Sequence, residues 1–153
     1  MAQIAECSEC GNARSLFGDC PHCGSPQIPL LAVDVIEFNI KLGNPSVDDA
    51  LEILAVKIRE FLELGVKAVI LIHGYGSSGQ GGHIKRAIHE ALENNRYADR
   101  VDEYIYGENV PYGSPAYLEL IKKRPGLKRY LRHFKASNAG MTVLLLGSGY
   151  RSA

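Results

Sequence analysis

Val66-Lys-Ala-Val-Ile-Leu-Ile-His-Gly-Tyr-Gly-Ser-Ser-Gly-Gln-Gly-Gly82 joins a short apolar run to five glycines within nine residues. From Ala68 to Ile72 both faces of the run are apolar, which predicts a buried central strand. The loop behind it lacks Cβ atoms at Gly74, Gly76, Gly79, Gly81 and Gly82, so its backbone can approach a ligand and turn N–H groups inward. A helix is expected from about His83 to Asn94, with Ile84, Ala87, Ile88, Ala91 and Leu92 repeating on one side. Its positive end faces the loop, and Ser77 and Ser78 add hydroxyl donors, so the segment suits a phosphate group. A loop without a ligand is the plainer alternative.

Working outward, Leu31 to Ile40 reads as a strand, with Glu37 and Asn39 on one side and Ile36 and Phe38 on the other. Lys41 to Pro45 is a turn, and Ser46 is a suitable N-cap with Asp49 three residues on. The helix it starts runs from Val47 to Leu64 and stops at Gly65; its apolar stripe is Val47, Ala50, Leu51, Leu54, Ile58, Phe61 and Leu62. Downstream, Val101 to Tyr106 and Met141 to Leu146 read as strands. Between them Ser114-Pro115 starts a helix, and Pro125-Gly126 divides two short ones. The order predicts an α/β fold: a compact four-stranded mixed sheet with helices packed on it.

The N-terminus has a different logic. All four cysteines fall in Cys7-Ser-Glu-Cys10-Gly11 and Cys20-Pro-His-Cys23-Gly24. Two such knuckles can turn four sulfurs onto one metal about 2.3 Å away, which predicts one structural Zn2+ held by Cys7, Cys10, Cys20 and Cys23 in a small ribbon. Metal binding would supply the folding energy that so short a segment cannot draw from a core. Iron in a rubredoxin-like site is the lesser alternative, and disulfides are disfavoured where no export signal precedes them. Four thiolates leave no open position for a substrate. Ser25-Pro26-Gln27-Ile28-Pro29 reads as a stiff linker, giving a ribbon over 1–26 and an α/β domain over 31–153.

The absence of a signal-like start and of any apolar run near 20 residues predicts a cytoplasmic chain with no membrane partner. Its net charge of zero conceals a division. Residues 1–113 sum to −7 and residues 114–153 to +7, so the C-terminal quarter can guide a polyanion.

Several motifs compete for the glycine loop. Gly74-Tyr-Gly-Ser-Ser-Gly79 formally matches a dinucleotide fingerprint, but no second half follows to hold the other nucleotide. No Gly-Lys-Ser/Thr closes a Walker loop, and no Gly-x-Ser-x-Gly elbow accompanies the hydrolase-like Leu71-Ile-His-Gly-Tyr-Gly. Val69-Ile-Leu-Ile-His73-Gly74-Tyr75-Gly76, continuing into Ile84-Lys-Arg-Ala-Ile88, resembles the signature of the Smr (small MutS-related) domain family. Val47-Asp-Asp-Ala-Leu51 resembles the start of that family's first helix, and Asn138-Ala-Gly-Met-Thr-Val-Leu-Leu-Leu146 its closing strand. The resemblance covers residues 31–147, with 107–138 as a basic insertion.

It implies a fold akin to the C-terminal domain of a translation initiation factor, nucleic-acid binding and, in many members, endonuclease activity on RNA or DNA. Carried over by position, His73, Gly74 and Gly76 match the family loop. Where active members show Leu-Asp-x-His on the first strand, this chain has Ile36-Glu37-Phe38-Asn39. Asparagine can hydrogen-bond a phosphate but cannot trade protons near neutral pH.

A nicking reaction would therefore use His73 and Glu37 in one shared cleft, with Asn39, Gly74, Tyr75, Gly76, Ser77, Ser78, Gly79, Gly81 and Gly82 on the phosphate. A structural histidine that pins the loop is the competing role for His73. His83 could touch phosphate, and His89 reads as solvated surface. Lys122, Lys123, Arg124, Lys128, Arg129 and Arg132 would meet the backbone of RNA or DNA, with Tyr117, Tyr130 and Phe134 stacking on bases or simply packing inward. A non-catalytic adaptor, docking a ribosome or a protein through the ribbon, is the alternative to the enzyme.

Overall fold

The computed structural model describes residues 5–15, 18–27, 30–31, 34–74, 81–135 and 138–147; for Leu30, Leu31 and Gly81 it describes the backbone alone. Three two-residue strands, β1 (Ala5–Glu6), β2 (Ala13–Arg14) and β3 (Leu30–Leu31), pair antiparallel in the order β2-β1-β3. β4 (Val35–Asn39), α1 (Val47–Leu64), β5 (Ala68–Ile72), α2 (Gly81–Glu93), β6 (Val101–Tyr106), α3 (Pro115–Lys123) and β7 (Met141–Leu146) follow. The second sheet runs β4-β5-β7-β6, parallel between β4 and β5 and antiparallel across the other two joints. This is the mixed four-stranded sheet expected from the sequence.

The expected first strand is divided. Leu30–Leu31 pairs with β1 in the ribbon, and the main sheet begins at Val35, so the ribbon's own sheet reaches past the expected boundary at residue 26. Ala5 of β1 also joins the buried cluster that holds Ile36, Ile40 and Leu54.

Local signals set α1. Ser46 accepts the Asp49 amide at 3.1 Å, and Gly65 ends the helix in the left-handed region at φ 88°. Ala50, Leu54, Ile58, Phe61 and Leu62 are buried beneath it, while Val47 and Leu51 lie at the margin. α1 and α2 cover one face of the sheet, closing over Ile36, Val69, Leu71 and Leu144. α3 and the kinked 3₁₀ segment Pro125–His133 cover the other, closing over Val35, Ile70, Val143 and Leu145. With helices on both sides, β7 is buried at all six positions.

The residues carried in the insertion as possible base-stacking groups are core. Tyr117, Tyr130 and Phe134 are buried, and Tyr130 Oη donates to the Val35 carbonyl at 2.9 Å. Their apolar area is larger than their polar tips, so they seal the second face of the sheet.

Candidate functional site

His73 follows the last residue of β5 and takes that strand's alternation with it, pointing to the α1–α2 face beside Val69 and Leu71. It is fully buried. Its Nδ1 lies 3.0 Å from the Gly74 carbonyl oxygen and its Nε2 2.8 Å from Thr142 Oγ1. Burial dominates its chemistry and pushes its pKa down to about 4, with the charge of Lys85, and of His89 when protonated, acting in the same direction. At neutral pH the imidazole is therefore uncharged, with both ring nitrogens engaged.

His89 is not solvated surface. It is half-buried, with Nε2 3.3 Å from the same Thr142 hydroxyl. Its ring stands edge-on to His73 at 5.4 Å and stacks on Tyr106 at 3.8 Å. Tyr106 in turn donates to Glu93 Oε2 at 2.5 Å. Burial lowers the pKa of His89 as well. Sequence reasoning missed Thr142, although it is the one polar residue in Met141–Leu146.

The base of the glycine loop is tied down. The amides of His73 and Gly74 both donate to the Gly140 carbonyl, at 3.0 and 2.9 Å, so the Gly74 amide is turned away from any ligand. Gly140 N donates to Asn138 Oδ1, and Asn138 Nδ2 to the His133 carbonyl. Gly74 has φ +83°, and a Cβ there would strike the Lys41 side chain. Gly107 is needed for a different reason: a Cβ would overlap the Asn138 carbonyl. Tyr75, Gly76, Ser77, Ser78 and Gly79 lie outside the described residues. Gly81 and Gly82 open α2, and His83 is exposed beside them.

Glu37 does not share a cleft with His73. In the parallel register Glu37 stands opposite Ile70, which puts it on the α3 face. There it accepts from Arg132 Nη2 at 2.7 Å and contacts His133 Nε2 at 3.1 Å. Two residues on opposite faces of a sheet cannot act on one proton, so Glu37 does not orient His73. Asn39 lies on the same face as Glu37, and its Oδ1 accepts the Lys41 amide at 2.9 Å, fixing the turn that delivers Lys41 to Gly74.

The start of the basic segment lies away from the loop, whereas its end reaches the loop base through His133, Asn138 and Gly140. Arg124 lines a cleft of about 230 Å³ with Lys67, Gly65 and Leu146, at the start of β5. Gly74 lies beyond the other end of that strand, roughly 20 Å away at about 3.3 Å per residue. Lys123 pairs with Glu103 at 2.8 Å and Arg132 with Glu37. Lys122, Lys128 and Arg129 are exposed and make no ion pair among the described residues.

In the ribbon, Cys7, Cys10, Cys20 and Cys23 place their sulfurs within 4.8 Å of one another. The Cys7–Cys23 and Cys10–Cys20 separations are 3.7 and 3.8 Å. A tetrahedral ion with bonds of about 2.3 Å requires sulfurs about 3.8 Å apart, whereas a disulfide requires about 2 Å. The donor set therefore fits a metal such as zinc. The Cys10 and Glu9 amides hold the Cys7 thiol down to about 6, toward the thiolate that a metal binds. Arg14 is buried and donates to the carbonyls of Ser15, Gly18 and Gln27, tying the two knuckles together.

Among the described residues no helix is long and apolar enough to cross a membrane. No curated protein matches the chain. The crystal structure of the Smr domain of Thermus thermophilus MutS2 aligns with 75% of this chain and 99% of its own, at 21% identity and a TM-score of 0.42. The profile of the Smr domain matches residues 40–118, from the end of β4 through the glycine loop into α3. That match takes in just over half of the 153 residues, and the chain belongs to the Smr domain family.

Proposed function

We propose that this protein binds nucleic acid without cutting it, using the glycine loop at the end of β5 and the exposed cations of the 122–135 segment, beside a zinc ribbon that is structural. Family membership supports the choice of nucleic acid as ligand. The observation that favours binding over nicking is the state of His73, sealed from solvent with both ring nitrogens occupied. A general acid or base must reach the proton it moves, and its pKa should lie near the working pH. Glu37 is on the other side of the sheet, and Asn39 has no proton to trade at neutral pH.

Lys41 and Lys85 flank the loop base, while Lys122, Lys128 and Arg129 form a second basic area on the far face. Two separated basic areas suit a polymer better than a mononucleotide. Four thiolates at tetrahedral spacing favour zinc in the ribbon, where it would supply folding energy and no open coordination position.

The test uses zinc-loaded full-length protein with end-labelled single-stranded and duplex RNA and DNA. Retarded bands that weaken steeply with rising salt, and no shortened product, are expected. No retardation on any of the four probes refutes the binding assignment. Product that accumulates with the parent protein and vanishes with His73→Gln refutes the non-catalytic one.

A further inference from the structure

We propose that Tyr112 is a stacking platform for one unpaired base, with Lys135 beside it for a neighbouring phosphate, so that the protein takes its nucleic acid as a single strand. This assignment rests on the nucleic-acid reading above and adds the form of polymer that is taken.

The aromatics of the insertion first expected to stack, Tyr117, Tyr130 and Phe134, are buried. Among the described residues two other tyrosines are exposed, Tyr112 at 60% and Tyr104 at 37%. Tyr112 stands at the tip of a tight turn. Ser114 N donates to the Pro111 carbonyl at 3.0 Å, and Gly113, at φ 85°, supplies the left-handed residue such a turn needs in third position. Both sides of the turn are anchored: Ser114 Oγ accepts the Tyr117 amide at the start of α3, and the Tyr112 amide donates to the Phe134 carbonyl.

The ring is held as firmly as the backbone. Fully buried Phe134 meets Tyr117 edge-on at 5.2 Å, and Tyr117 meets Tyr112 edge-on at 5.2 Å. Three rings thus climb from core to surface, and the outermost is fixed while most of it stays in water. An edge-on contact leaves Tyr112 with an open face. A side chain already fixed loses little freedom when a base covers that face.

Charge separates the two exposed tyrosines. Tyr104 lines a cleft with Asp102, and Tyr106, tilted against it, donates to Glu93, so its surroundings repel a polyanion. Tyr112 lies against the end of the basic segment. Lys135 directly follows the residue whose carbonyl holds Tyr112, and it is exposed. On the other side of Phe134, the His133 carbonyl accepts from Asn138, which in turn holds Gly140 beneath the His73 and Gly74 amides. The platform therefore stands where the basic segment joins the loop base. In a duplex the faces of each base are covered by its neighbours, so an open tyrosine face selects unpaired bases.

The chain contains no tryptophan, so Tyr112→Trp places a single indole at the platform. Zinc-loaded full-length protein is titrated with a single-stranded RNA, its duplex and an abasic ribose-phosphate strand of equal length. The single strand should bind more tightly than the duplex and should quench the indole, whereas the abasic strand should not. Tyr112→Leu keeps an apolar cover over Tyr117 but has no ring, which separates stacking from packing. Binding of the single strand should fall about tenfold in Tyr112→Ala and Tyr112→Leu, and stay within about twofold of the parent in Tyr112→Phe and Tyr104→Ala. Lys135→Gln should lower the salt dependence by about one phosphate contact. A parent that binds the single strand while Tyr112→Leu binds it equally well, or while the indole is unquenched, overturns the platform and leaves the nucleic-acid reading standing. Equal losses in Tyr104→Ala and Tyr112→Ala also overturn it. A parent that binds none of the three probes overturns the nucleic-acid reading, and the platform with it.

Discussion

Acid should weaken this protein through His73 more than through any exposed histidine, and the size of the effect can be worked out. In the unfolded chain the imidazole titrates at 6.5; in the folded chain burial holds it down to about 4. Between those values the unfolded state binds the proton and the folded state does not, so stability falls as pH falls through 6.5 and levels off below about 4. Each pH unit inside that window is worth about 1.4 kcal/mol. Going from about pH 7 to about pH 5 traverses roughly 1.5 units of it, a loss of about 2 kcal/mol. His73→Gln keeps a polar side chain of similar reach and removes the titration. Urea unfolding followed by circular dichroism at the two pH values, on parent and variant, isolates the residue, because acid release of metal from the ribbon is common to both. The parent should lose about 2 kcal/mol more than His73→Gln over the interval. Parallel losses would refute a buried neutral imidazole at this position.

Three further outcomes are expected. Metal analysis of the purified chain should give one zinc per molecule, and Cys20→Ser should abolish that stoichiometry while helical circular dichroism persists, since α1, α2 and α3 belong to the other sheet. Gly107→Ala should cost about 3 kcal/mol in urea unfolding, because the new methyl overlaps the backbone of Asn138 rather than a movable side chain. Glu37→Gln should cost less than about 1 kcal/mol, its ion pair with Arg132 being partly exposed, and should leave the ring resonances of His73 unmoved; a shift in those resonances would mean the two residues communicate across the sheet.

α1 was legible to its ends because the signals that bound it, Ser46 and Gly65, act within one turn. The four-cysteine cluster was legible for the same reason, two local knuckles needing only one metal to bring them together. Strand partnership was less accessible. Nothing in Leu30–Leu31 says that it pairs with Ala5–Glu6 rather than continuing into Val35, because that choice is made by residues far away in the chain. His89 misled for a similar reason: it follows Ile88 at the margin of the apolar stripe, and its burial comes from Tyr106 and from Thr142, 53 residues on. Alternation correctly put Glu37 with Asn39, but parity alone does not say which face of β5 His73 shares; the register and the helices on each side decide it. The aromatics of the insertion were ambiguous by nature, since a tyrosine that stacks on a base and one that seals a sheet have the same sequence.

Ala5 of β1 belongs to the same buried cluster as Ile36, Ile40 and Leu54, so the ribbon shares core with the main sheet. A tethered module must be found by diffusion over the arc of its linker each time a second contact forms, whereas a rigid one arrives already placed. A large partner that touched both the four-cysteine tip and the strand end where His73 sits would have to match the spacing between them. Selectivity would then rest on the spacing of two footprints on the partner's surface, a kind of ruler that neither footprint possesses by itself.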